Sequence, residues 1–151
     1  MTPAAFRFQF QRILDVKEKQ ERALEIELAR LDRLILDQEA LQREWEGARQ
    51  QTLQEMLQAR RRSDLAENAR CTAYLPYVRA RIAQCARAAA ELRSQRESVR
   101  QKLEQVMKSR KMLEKYRDRL LAEFLVALEK ADERVTEVHS ARKFIEAEGR
   151  L

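Results

Sequence analysis

Cys71, Cys85 and His139 are the thiols and the one imidazole of this chain, the residue types that most often serve as nucleophile, general base or soft metal ligand. Two cysteines are too few for a disulfide framework or a metal cluster. They lie 14 residues apart, about 21 Å along one helix, too far for an S–S bond. They read as reduced thiols. With a single histidine, neither a catalytic triad nor a His-rich metal site is available. Gly47 and Gly149 alone cannot build a phosphate-binding loop. No catalytic residue, metal site or cofactor site is expected, and the chain does not read as an enzyme.

The chemistry that remains is recognition. Phe6, Phe8 and Phe10 crowd the start, and Trp45 and Tyr74 are candidate anchors, since Trp and Tyr are enriched in binding hot spots. The net charge of +6 is uneven. Residues 61–118 carry 15 basic and 7 acidic side chains, whereas the flanking segments are close to balanced. Arg93, Arg96, Arg100, Lys102, Lys108, Arg110, Lys111, Lys115 and Arg117 crowd this stretch. It reads as a solvated, salt-bridged helix face, or as a docking surface for an acidic protein. Phosphate binding needs only Lys and Arg, but no aromatics are interleaved here to stack single-stranded bases.

These side chains must be positioned by helices. Gly 2 and Pro 2 in 151 residues compare with about ten and about seven at average usage. Sheets need turns, and turns need Gly, Pro, Asn and Asp. A sandwich, a barrel or a doubly wound fold is therefore excluded. Charged residues at 37% and aromatics at 6% are the composition of long helices and coiled coils. No apolar run approaches the ~18 residues of a membrane span, and the opening MTPAAFRFQF is too broken by charge for a signal peptide.

Every seventh residue from Val78 is apolar or a thiol: Val78, Cys85, Leu92, Val99, Val106, Leu113, Leu120 and Ala127. The companion set is Ile82, Ala89, Arg96, Leu103, Arg110, Arg117, Phe124 and Ala131. A 3.5-residue repeat keeps one stripe facing a partner helix. Arg96, Arg110 and Arg117 interrupt the stripe, either snorkelling to water or weakening the coil so that it can exchange partners. Towards the N-terminus, Phe6, Phe10 and Ile13 open a second stripe, and Leu24, Leu28, Leu31 and Ile35 continue it. It then drifts to Leu34, Leu41, Trp45 and Ala48, and ends at Leu53, Met56 and Leu57. Three phenylalanines at spacing two cannot share one helix stripe. Phe6 and Phe10 read as core with Phe8 exposed, or all three form an apolar plug for a partner.

The fold expected is all-α: a long two-helix antiparallel coiled-coil hairpin, one domain over 1–151. Helix one spans about 4–60, roughly 85 Å, the tip about 61–66 and helix two about 64–148. Two sites compete for the turn. At Arg62-Ser63-Asp64, Asp64 and Glu67 have capping-box spacing. At Leu75-Pro76, proline removes a helical hydrogen bond. If the turn is at the first, Pro76 can kink helix two. The last 25 or so residues of helix two then overhang, or pack on the start of helix one.

Several of these segments resemble FliJ-type flagellar export proteins. The opening from Phe6 to Arg22 is similar to that family's aromatic start running into charged helix. Ala73-Tyr74-Leu75-Pro76-Tyr77-Val78 resembles its aromatic–aliphatic stretch after the tip. Arg110-Lys111-Met112-Leu113-Glu114-Lys115-Tyr116-Arg117-Asp118-Arg119 resembles its "R-K-x-L-E-K-L" segment, and Glu129 to Glu133 its near-terminal acidic pair. Pro76 and the lack of a glycine near the tip depart from the pattern. The resemblance implies a fold like the gamma stalk of rotary ATPases. It implies a non-enzymatic component of flagellar type III protein export, cytoplasmic and peripheral to the membrane through its partners. Those partners would be the hexameric export ATPase, the cytosolic domain of the export gate and the export chaperones. No small-molecule substrate, cofactor or nucleic acid is implied. The ATPase contact would fall on Phe6, Phe10, Ile13, Lys17, Arg119, Phe124 and Glu133. The gate contact would fall on Leu41, Trp45, Tyr74, Val78 and Cys85. An injectisome stalk, a basic nucleic-acid-binding or architectural coiled coil, and a homodimeric adaptor are the alternatives.

Overall fold

A computed structural model describes residues 5–149. It is an all-α hairpin of two helices, α1 (Gln11–Arg61) and α2 (Leu65–Glu148), with no strand among the described residues. The chain divides into two compact units. The first is Met1–Gln20 with Val106–Leu151, and the second is Glu21–Gln105.

The second unit contains the turn. α1 ends in a Schellman motif: the Asp64 amide donates to the Ala59 carbonyl at 2.8 Å and the Ser63 amide to the Arg60 carbonyl at 3.2 Å. Ser63 sits at φ 57°, the left-handed position where such motifs usually place glycine. Asp64 then serves the next helix. Its Oδ1 accepts the Glu67 amide at 3.1 Å, and its carbonyl accepts the Asn68 amide at 3.1 Å, so it is the N-cap of α2. The Glu67 carboxylate turns away to Arg70. Pro76 lies inside α2.

Cross-helix contacts run in opposite senses along the two helices. Asp32 pairs with Arg96, Glu39 with Arg93 at 2.6 Å, Glu55 with Arg70 at 3.6 Å, and Arg60 bonds Asn68 at 3.1 Å. The seam of α2 begins before Val78: Cys71, Leu75, Val78, Cys85 and Ala89 are all buried. Opposite it lie Leu31, Ile35, Thr52 and Ala59.

The seam of α1 does not drift. Its buried and half-buried positions hold the spacing that starts at Leu24 and Leu28. They continue through Leu31, Ile35, Gln38, Gln42, Trp45, Thr52, Met56 and Ala59. Leu41, Leu53 and Leu57, expected on the stripe, are exposed. A strict 3.5-residue repeat on α2 demands the same repeat opposite, so polar and small residues occupy the seam and leucines leave it. Buried Thr52 tolerates this because its hydroxyl donates to the Ala48 carbonyl at 2.8 Å.

In the first unit, α1 starts at Gln11 and not near residue 4. Residues 5–10 are non-helical, and the Gln11 amide closes a turn onto the Phe8 carbonyl at 3.1 Å. Outside a helix, side chains two apart can face the same way. Phe6 packs on Phe124, with ring centroids 5.6 Å apart. Phe8 meets Phe10 at 5.8 Å, and both meet Tyr116 at 6.0 Å. Phe8 is thus the buried ring and not a stray exposed one. Leu14 is fully buried and Ile13 is exposed, so the inward face of α1 here lies one residue away from the expected stripe.

Candidate partner-binding surfaces

The first unit presents two kinds of surface. Around the aromatic cluster, Phe6, Phe10, Lys17 and Phe124 are half-buried. The Arg119 guanidinium lies 5.2 Å from the Tyr116 ring centre, a cation–π contact, and so joins the cluster through Tyr116. Beyond it, every residue of α2 from Glu129 onwards is exposed, Glu133 among them. This stretch is still patterned. Val135, Val138, Phe144 and Ile145 are each about two-thirds exposed, and 131, 135, 138 and 145 fall on one helix face. These apolar side chains therefore form an exposed stripe on the last turns of α2.

The second unit carries an aromatic patch beside the seam. Tyr74 stacks on Tyr77 at 5.9 Å with an interplanar angle of 28°, and Tyr77 meets Trp45 edge-on at 5.8 Å. The Arg81 guanidinium lies 5.6 Å from both the Trp45 and Tyr77 ring centres, and it donates to Gln84 Oε1 at 3.0 Å. Tyr74 is 41% exposed, Tyr77 49% and Leu41 41%. Of the five residues expected at a gate contact, Leu41, Trp45 and Tyr74 therefore belong to this surface. Val78 is on the seam, 0% exposed, and holds the two helices together; Cys85 is on the seam too, 5% exposed, but also lines the groove beside Leu41 and Trp45. Tyr77 and Arg81 are the members that sequence reasoning missed. The run Tyr74, Tyr77, Arg81, Gln84, Ala88 at helical spacing was the signal available.

The arginines from Arg93 to Arg117 are paired. Besides the two cross-helix pairs, Arg100 pairs with Glu97 at 2.7 Å, Arg110 with Glu114 at 2.8 Å and Arg117 with Asp118 at 3.7 Å. Seam residue Arg96 does not snorkel to water alone but reaches across to Asp32. Glu67 and Glu97 are held below the usual carboxylate range by hydrogen bonds from Arg70 and Arg100, and Glu27 by one from Arg30.

Near the turn, donor atoms of Glu55, Glu67 and Cys71 lie within 4.8 Å of one another. Arg70 bonds Glu67 at 2.5 Å and approaches Glu55 at 3.6 Å, so a guanidinium already balances both carboxylates. Cys71 and Cys85 are free and buried, and no helix among the described residues is long and apolar enough to cross a membrane.

A family model described as "Flagellar FliJ protein" matches residues 6–149. Comparison with curated proteins and with solved structures returned no match.

Proposed function

Because the chain belongs to the flagellar FliJ protein family and is a component of the flagellar export machinery, we propose that it works there by binding alone. Its first unit engages the hexameric export ATPase, its aromatic patch engages the cytosolic domain of the export gate, and it also escorts export chaperones. It does no chemistry of its own, and it sits at the inner face of the membrane through its partners. The observation that carries this reading is the family match over residues 6–149. The bare, patterned stretch after Glu129 and the exposed aromatic patch supply surfaces of the kind it needs.

Partner helices are recognised through apolar side chains at helical spacing, which Val135, Val138 and Ile145 provide on the bare stretch. The Phe6–Phe124 and Phe8–Phe10–Tyr116 contacts fix the start of the chain against α2, so that Phe6, Phe10, Ile13, Lys17, Arg119 and Phe124 can be read by the ATPase together. Truncation after Lys130 tests this. Among the described residues it removes only exposed ones, so melting should be unchanged while stimulation of the purified export ATPase falls. Removing residues 1–12 as well should abolish stimulation, and full stimulation by that doubly truncated chain would overturn the ATPase reading.

A further inference from the structure

Beside the aromatic patch lies a groove of about 250 Å³ whose lining includes Leu41, Trp45 and Arg81, with Gln38 and Gln84 also along it. Its lining carries one cation and no carboxylate. From Asn68 to Ala90, α2 contains Arg70, Arg79, Arg81 and Arg87 and no Asp or Glu. Arg70 is paired. Arg81 has rings and an amide for neighbours, and no ion pair of it occurs among the described residues.

We infer that this groove takes an acidic protein segment, in which an apolar side chain sits against Leu41 and Trp45 while a neighbouring carboxylate accepts hydrogen bonds from Arg81. The inference rests on the gate-docking reading and adds the chemistry of what docks. A guanidinium has five donors in a planar fork. One is used by Gln84, and the Trp45 and Tyr77 rings, each with its centre 5.6 Å from the guanidinium carbon, flank the group without taking up its other donors. Such a preorganised fork matches a carboxylate in two-point geometry and loses little freedom on binding it. The apolar floor beside it lowers the local dielectric, which strengthens the pair and favours an anion flanked by an apolar group over a bare one. A nucleic-acid backbone fits less well. Its charge repeats along the strand, and Glu44 and Glu46 flank Trp45 in the chain, whereas a single carboxylate needs only the one fork.

The test is calorimetric titration of the full chain with the purified cytosolic domain of the export gate. The variants are Arg81→Gln, Arg81→Glu, Arg81→Lys and Trp45→Ala, with a thermal melt of each. Arg81 is exposed, so the Arg81 variants should melt like the parent. The expected result is a loss of about tenfold or more for Arg81→Gln, a larger loss for Arg81→Glu and partial retention for Arg81→Lys. Raising NaCl from about 50 to about 300 mM should weaken the parent more than Arg81→Gln, because only the parent has the screened pair. If Trp45→Ala loses binding while Arg81→Glu binds like the parent, the gate docks here but not through a carboxylate, and the inference is overturned. If neither change matters, the docking reading itself fails at this patch. Displacement of the gate domain by duplex DNA, with the same dependence on Arg81, would also overturn the acidic-protein assignment.

Discussion

Tyr74 and Val78 are four residues apart on α2, yet Tyr74 lies half-exposed on the aromatic patch and Val78 is buried on the seam, and a pair of alanine variants tests what each does. Val78 is 0% exposed. Val78→Ala removes two carbons, about 1.6 kcal/mol of transfer free energy at about 0.8 per methylene. A residual cavity adds to this, and the better helix propensity of alanine returns about 0.5 kcal/mol. The net cost is about 1–2.5 kcal/mol. Tyr74 is 41% exposed and its one ring contact is Tyr77 at 5.9 Å. An aromatic pair is worth about 0.5–1.5 kcal/mol beyond its area burial, a half-buried side chain loses about 1–2 kcal/mol of transfer free energy, and alanine again returns about 0.5, so Tyr74→Ala should cost about 1–3 kcal/mol. A buried ring would cost about 3–5 kcal/mol. Urea unfolding followed by Trp45 fluorescence reports the second unit directly, since Trp45 is the sole tryptophan. A lower midpoint at constant slope isolates stability. Gate-domain affinity should separate the two: Tyr74→Ala should weaken it by about 2 kcal/mol, roughly 30-fold, as a hot spot does, and Val78→Ala should leave it unchanged. If Tyr74→Ala costs as much as a buried ring and gate affinity stays at the parental value, Tyr74 is a core ring and the patch is not a docking surface.

Four further outcomes are expected. Ser63→Gly should raise the unfolding midpoint by up to about 1 kcal/mol, because a side chain at φ 57° pays a left-handed penalty that glycine does not. Asp64→Ala should cost about 1 kcal/mol in the same assay by leaving the Glu67 amide without its cap. Pro76→Ala should stabilise by up to about 3 kcal/mol, since alanine restores an amide donor within α2 and removes the ring's clash with the preceding turn. Glu27, Glu67 and Glu97 have folded-state pKa values below their usual 4.5. Their contribution is therefore complete above about 4.5 and lost as pH falls through the lower folded values. Urea midpoints should be flat from about pH 8 to about pH 5 and decline below that. The decline should be small and shrink in high salt, because all three pairs are exposed.

The candidate surfaces were only partly legible in the chain. Trp45 and Tyr74 stood out by residue type, and both lie on the patch. Tyr77 and Arg81 were passed over because one is an unremarked neighbour of Pro76 and the other one arginine among many. What distinguishes Arg81 is a relation across the hairpin, a guanidinium shared by Trp45 on α1 and Tyr77 on α2. A linear pattern does not contain that relation. Val78 and Cys85 were expected at the gate contact through the family resemblance, while their heptad spacing put them on the seam, where both are buried.

By itself the sequence determined that this protein is all helix, because scarce Gly and Pro leave no turns for sheets. The heptad run from Val78 likewise required a helix partner, because its apolar stripe must be buried. Both are local properties, summed residue by residue. Only the tertiary structure decided which of Ser63 and Pro76 hosts the turn, since each is locally a plausible break and packing selects one register for both helices. It also decided the seam of α1. There the strict repeat of α2 overrode the leucine pattern, burying Thr52 and Ala59 and leaving Leu41, Leu53 and Leu57 exposed. The start of α1 was decided in the same way. Phe6, Phe8 and Phe10 gain more by packing together against Tyr116 and Phe124 in a non-helical segment than a helix could offer, because 100° per residue would splay rings at spacing two onto different faces.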